Sequence, residues 1–217
     1  IGLHVDANSH RAEDYKIPGF QILNDSTSAS GKLPLSYTHE NSVGFGASYI
    51  GNWGHVGASV ATLNNRYGIP TEEGSQIDQS QTRYDIDALV REPLAAFETF
   101  KFKLGYTDYK HTELDLSDAP QTNFSNRSLE TRWELAHKPL AGWHGTFGLQ
   151  TEDTRFSALS ADTGGPDTVP VTKSTSFAAF LVEERAIGPV HMDAGLRLES
   201  MKRSPVTGQD RSFQLAS

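Results

Sequence analysis

The chain has 217 residues, enough for one large domain or two small ones, and carries 19 Lys+Arg against 27 Asp+Glu for a net charge of −8. That balance excludes a phosphate-tracking nucleic-acid binder with a broad basic face. The absence of cysteine excludes a disulfide framework, a thiolate metal site and a cysteine nucleophile, so any metal binding or catalysis must use His, Asp, Glu or Ser. No apolar run approaches ~18 residues, which excludes a membrane-spanning helix but leaves a membrane β-barrel open, because its strands alternate.

From the start, side chains alternate with period two, the signature of strands. Ile1, Leu3, Val5 and Ala7 oppose Gly2, His4, Asp6, Asn8 and His10. A long polar excursion over 11–35 follows, then the tight turn Gly51-Asn52-Trp53-Gly54 and a second excursion over 65–76. A short connection over 92–98 leads into the clearest strand. There Phe100, Phe102, Leu104 and Tyr106 share one face, while Lys101, Lys103, Gly105, Thr107, Tyr109, His111 and Glu113 share the other. An excursion over 116–123 precedes Leu129, Thr131, Trp133 and Leu135, which oppose Glu130, Arg132 and Glu134. The tight turn Pro139-Leu140-Ala141-Gly142, an excursion over 159–172 and the tight turn Ile187-Gly188-Pro189 come next. Val190, Met192, Ala194, Leu196 and Leu198 then oppose His191, Asp193, Gly195, Arg197 and Glu199, before a last excursion over 204–209.

Short turns and long loops thus alternate along about ten strands. An up-and-down barrel spanning an outer membrane has short turns on the periplasmic side and long loops outside. The expected fold is therefore all-β, an antiparallel up-and-down meander forming part of a large transmembrane β-barrel. Trp53, Phe97, Phe100 and Trp143 lie near the short turns, where an interfacial aromatic girdle belongs. In this orientation Phe102, Leu104, Trp133, Leu135, Leu196 and Leu198 face lipid and the charged set lines the lumen. The competing reading is a soluble lectin-like sandwich whose loops bind a glycan with Trp53, Trp143 and Tyr15. No Gly-x-Ser-x-Gly elbow is present, and no enzymatic activity is expected.

Several segments resemble the barrel of TonB-dependent outer-membrane receptors. These are Gly2-Leu3-His4-Val5-Asp6 with residues 11–19, then 51–59 continuing through Asn65-Arg66-Tyr67-Gly68-Ile69-Pro70. Gln81-Thr82-Arg83-Tyr84-Asp85 and residues 105–113 are most similar to the zinc-uptake branch of that family. The resemblance extends through residues 134–139 and the Gly188-Pro189 turn, so it spans most of the chain. It implies a parent protein in the outer membrane of a Gram-negative bacterium, importing zinc or a metal complex as cargo with no cofactor of its own. Its partners would be the lipid bilayer and the TonB system, reached through a plug domain. Such receptors have about 22 strands, so residues 1–217 read as a partial barrel without a plug, able to self-associate through open sheet edges. Where the branch often carries a histidine-rich run, this chain has Thr71-Glu72-Glu73-Gly74-Ser75.

The candidate metal ligands are His111 and Glu113. Two apart on a strand, they leave the same lumen-side face near the outer mouth, and zinc takes histidine nitrogen and carboxylate oxygen together. Three further groups are weaker candidates. Glu72, Glu73 and Asp78 form an acidic mouth; His4, Asp6 and His10, with Asp14 following, line a second lumen stretch; His191, Asp193 and Glu199 read as ion-pair partners of Arg197 and Lys202.

Overall fold

The computed structural model describes residues 1–22, 25–71 and 74–217. Twelve strands follow one another with no helix among the described residues: β1 (Gly2–Ala12), β2 (Lys16–Phe20), β3 (Ser30–Lys32), β4 (Thr38–Gly51), β5 (Gly54–Ile69), β6 (Ser75–Arg91), β7 (Phe97–Leu114), β8 (Pro120–His137), β9 (His144–Ser160), β10 (Pro166–Ile187), β11 (Val190–Pro205) and β12 (Arg211–Ala216). Ten of them form one antiparallel sheet in the order β1-β4-β5-β6-β7-β8-β9-β10-β11-β12, each pairing its neighbour in the chain apart from the inserted β2–β3 hairpin. The up-and-down meander expected from the alternation is the observed fold.

Register carries the alternation across the whole sheet. Phe102 pairs with Ala88 on one side and Trp133 on the other, and Leu104 with Ile86 and Thr131. Trp133 in turn meets Leu149, which meets Ala179 and then Leu198. One apolar belt thereby runs from Leu3 and Val5 on β1 to Leu196 and Leu198 on β11. Its side chains are half-buried or exposed: Trp133 is 44% accessible and Leu196 and Leu198 are each 55%. Among the described residues no large side chain is fully buried, so this sheet has no core in the ordinary sense. A contiguous apolar surface of this extent is far beyond the patches soluble monomers leave in water.

The soluble sandwich predicts a second sheet packed on that apolar face, and the described residues provide none. Its glycan triad is also divided between the two ends of the strands. Trp53 and Trp143 lie at the β4–β5 and β8–β9 turns, whereas Tyr15 follows the far end of β1.

At the short-turn end the chain reverses sharply. The β8–β9 hairpin closes with mutual backbone bonds between Leu140 and Trp143 (2.9 and 3.0 Å), and Ala141 and Gly142 between them have φ of 52° and 83°. Two positive φ values make this the primed turn that matches strand twist.

At the opposite end the expected long loops are shorter than the composition implies. β5 continues to Ile69 and β6 resumes at Ser75; β9 continues to Ser160 and β10 resumes at Pro166. Much of 65–76 and 159–172 is therefore strand, and the excursion over 11–35 contains the β2–β3 hairpin. β4 to β11 run 14 to 22 residues, whereas about 9–11 tilted residues cross a bilayer. The strands are longer than such a crossing requires.

Candidate functional site

On the face opposite the belt, charge is arranged in same-strand pairs. Arg83 binds Asp85 on β6 (2.7 Å), Arg132 binds Glu134 on β8 (2.7 Å) and Arg197 binds Glu199 on β11 (2.8 Å). Residues two apart on a strand share a face, so an Arg-x-acid triplet is the sequence signal for each pair. Gln150 on β9 accepts from both Arg132 and Arg197 (3.3 Å each), linking three strands. The Arg132 guanidinium also lies 4.5 Å from the centre of the Phe180 ring. That ring lies across Gly148, where an added Cβ would be 2.0 Å from it. His55 and Asp87 meet at 2.6 Å, and His4 and Asp6 at 3.0 Å.

His111 and Glu113 emerge on this same face, as their spacing requires. Asp108 and Lys110 take the outward positions beyond Tyr106, so His111 stands beyond the end of the apolar belt. Its imidazole stacks on Phe124 of β8, with ring centroids 4.2 Å apart at 14°, and meets Tyr109 edge-on at 5.5 Å. Phe124 is its direct cross-strand partner on β8, and Gln79 on β6. Nδ1 is buried without a hydrogen-bond partner. Burial pushes the imidazole below the ordinary histidine value, with the Glu113 carboxylate pulling the other way. A neutral imidazole is the form that binds a metal. Direct ion pairing between His111 and Glu113 within 4 Å is absent among the described residues.

The weaker candidates separate. Glu72 and Glu73 lie outside the described residues, and Asp78 occupies the outward parity of β6 opposite Thr112, away from the lumen. Asp14 accepts the Ser36 backbone N–H at 2.9 Å and so holds the loop after β1. Glu199 pairs with Arg197 as its position implies, whereas Lys202 turns to Asp210 (2.8 Å).

His191 and Asp193 belong to a grouping invisible without the sheet register. His144, Glu184 and Asp193 are direct partners in one row across β9, β10 and β11, and His191 is two residues from Asp193 on the same face. His191 Nε2 lies 3.8 Å from Glu184 Oε2 and 3.8 Å from Asp193 Oδ1. Donor atoms of Glu184, His191 and Asp193 all fall within 4.8 Å of one another. His144 reaches Glu184 through Nδ1 (3.4 Å) and Glu98 through Nε2 (3.0 Å).

No protein-family profile matches this sequence. Solved structures do match in shape. The copper transporter OprC superposes with a TM-score of 0.79 over 99% of this chain at 11% identity, and the FrpB iron transporter from Neisseria meningitidis (F3-3 variant) with 0.77 over 98% at 10%. The alcaligin outer-membrane receptor FauA from Bordetella pertussis superposes with 0.61 over 82% at 16%. This sheet shares its fold with part of each of these structures. The chain spans about a third of the length of those structures, 36%, 38% and 31% respectively.

Proposed function

We propose that the chain is a sector of the barrel of a TonB-dependent outer-membrane transporter that imports a metal ion, zinc in the first instance, or a metal complex. The observation that carries this reading is the partition of the sheet: an exposed apolar belt on one face and paired charges on the other, within a meander shaped like part of copper and iron transporters. The parent protein then resides in an outer membrane, takes energy from the TonB system through a plug domain, and performs no covalent chemistry. Its lumen face, rich in Arg-acid pairs, offers a plug a polar wall.

His111 and Glu113 are proposed as cargo ligands at the outer mouth. The orphaned Nδ1 of His111, held beside aromatic rings and kept neutral by burial, supports this role. Two donors fall short of the four that zinc usually takes, so the remainder come from the cargo, the plug or another strand. In the complete receptor, His111→Ala should lower zinc-dependent growth and zinc binding. Zinc titration of the receptor with and without the substitution tests it, and coincident isotherms would remove His111 from the site.

A further inference from the structure

We infer that the row formed by His144, Glu184 and Asp193, with His191, is a second metal site, at the short-turn end of the lumen face, that takes a divalent transition-metal cation. Three observations support it. With metal–ligand bonds of about 2.0–2.2 Å, tetrahedral donors lie roughly 3.4 Å apart. His191 Nε2 is already 3.8 Å from one oxygen of each carboxylate, and all three donors fall within 4.8 Å of one another, so two of the three separations are within a few tenths of an ångström of that spacing. Second, Glu184 and Asp193 face each other as direct cross-strand partners, a placement in which like charges repel. No lysine or arginine lies within 4 Å of either carboxylate among the described residues, and Arg197, the nearest cation inward on β11, is bound to Glu199. A cation between them resolves the opposition.

Third, the carboxylate is already oriented. His144 binds Oε1 of Glu184 and is itself anchored by Glu98, which leaves Oε2 directed at His191. A histidine that fixes the outer oxygen of a ligating carboxylate sharpens affinity without touching the metal. Glu184, Asp193 and His191 therefore supply the donors and His144 is a positioning residue. One nitrogen and two oxygens suit a borderline cation such as zinc better than magnesium, which wants oxygen and holds its water. A three-donor set leaves a position open for exchange.

The binding needs no assumption about transport. Its use as the last stop before a cation leaves the lumen rests on the proposed function.

The test is a zinc titration, read by competition with a chromophoric chelator, of the full-length outer-membrane protein carrying this chain, in detergent. All arms carry His111→Ala and Glu113→Gln to silence the mouth. One zinc equivalent should bind. His191→Ala, and separately Glu184→Gln with Asp193→Asn, should weaken it by about 100-fold, and His144→Ala by about tenfold. Millimolar magnesium should not compete. The double amide variant keeps side-chain size and removes the carboxylate repulsion, so it folds at least as readily as the parent and keeps the test decisive if His191→Ala misfolds. An isotherm unchanged in the double amide variant, or no zinc equivalent bound in the parent, would overturn the site. Zinc uptake lost with this isotherm intact would instead count against the transport role alone.

Discussion

The lower and upper halves of this sheet obey the same period-two rule with opposite polarity. Below Tyr84 and Tyr106 the outward positions are Ile86, Phe102, Leu104, Trp133 and Leu135, and the inward ones are Asp85, Lys103, Arg132 and Glu134. Above that level the outward positions become Asp108, Lys110, Arg127 and Arg155, tied by pairs such as Asp108–Arg127 at 3.2 Å. Inward positions there include Tyr109, Phe124, Phe156, Ile77 and Ala158, the last two among the few buried apolar residues. On the proposed function, the medium around each half, lipid below and water above, decides which face of an identical ladder is apolar. His111 lies in the upper, aromatic half, which explains why its ring is buried on a face that is otherwise charged.

The largest effect should separate the two ends of the sheet. Gly54, at the base, has φ of +136° and an added Cβ would sit 1.8 Å from the Leu89 carbonyl oxygen; Gly164, at a distal tip, has φ of +68° with nothing within 4 Å. Gly54→Ala should abolish folding, read as loss of heat-modifiable electrophoretic mobility, whereas Gly164→Ala should cost only the ~1 kcal/mol of its backbone conformation. Next, Leu104→Arg in the belt should destabilise by ~2–4 kcal/mol and Ser125→Arg, outward but above it, by about 0–1 kcal/mol. Equal effects in a urea titration of the bilayer-inserted protein would erase the boundary drawn at Tyr106.

A smaller, stabilising change is expected at the base. Ala141 adopts φ of 52° in the primed turn, a conformation that costs asparagine less than alanine. Ala141→Asn should raise stability by up to about 1 kcal/mol in the same titration. The smallest effect concerns the distal β7–β8 tip. The Asp115 carboxylate accepts from the Ser117 hydroxyl (2.7 Å) and from the Ala119 and Ser117 backbone N–H groups (2.9 and 2.8 Å), which hold its pKa below the ordinary aspartate value. A carboxyl depressed in the folded state contributes stability above the unfolded value near 3.9 and loses it as pH falls through the lower folded value. Amide exchange at Ser117 and Ala119 should therefore rise, relative to the turns at the base, only once pH drops below about 4.

The same polarity inversion determines what the sequence could reveal. Strands were legible across the belt because Phe100, Phe102, Leu104 and Tyr106 contrast with the lysines between them. Higher up, both faces mix polar and apolar side chains, so the ends of β5, β9 and β10 read as loop although their backbone ladder continues. The β2–β3 hairpin is short, irregular in register and rich in Gly, Pro and Ser, and left no periodic trace. That His111 and Glu113 share a face follows from spacing alone. That Phe124 covers the imidazole does not, because it depends on the β7–β8 register. The His144–Glu184–Asp193 row is further from view, requiring two registers at once; its trace is a set of histidines and acids beside two separate short turns.

The sheet ends in two open edges, β1 and β12. Along the eleven residues of β1, about half the backbone N–H and C=O groups point away from β4, since a strand's ladder bonds alternate sides. Hydrocarbon offers those groups no hydrogen-bond partner, and each left unmet costs several kcal/mol. Even a few such groups add up to on the order of 10–20 kcal/mol, as large as the entire 5–15 kcal/mol that holds an ordinary protein folded. In a bilayer, then, neither edge can border lipid, and the order of this sheet is a property it shares with whatever strands complete the ladder on either side.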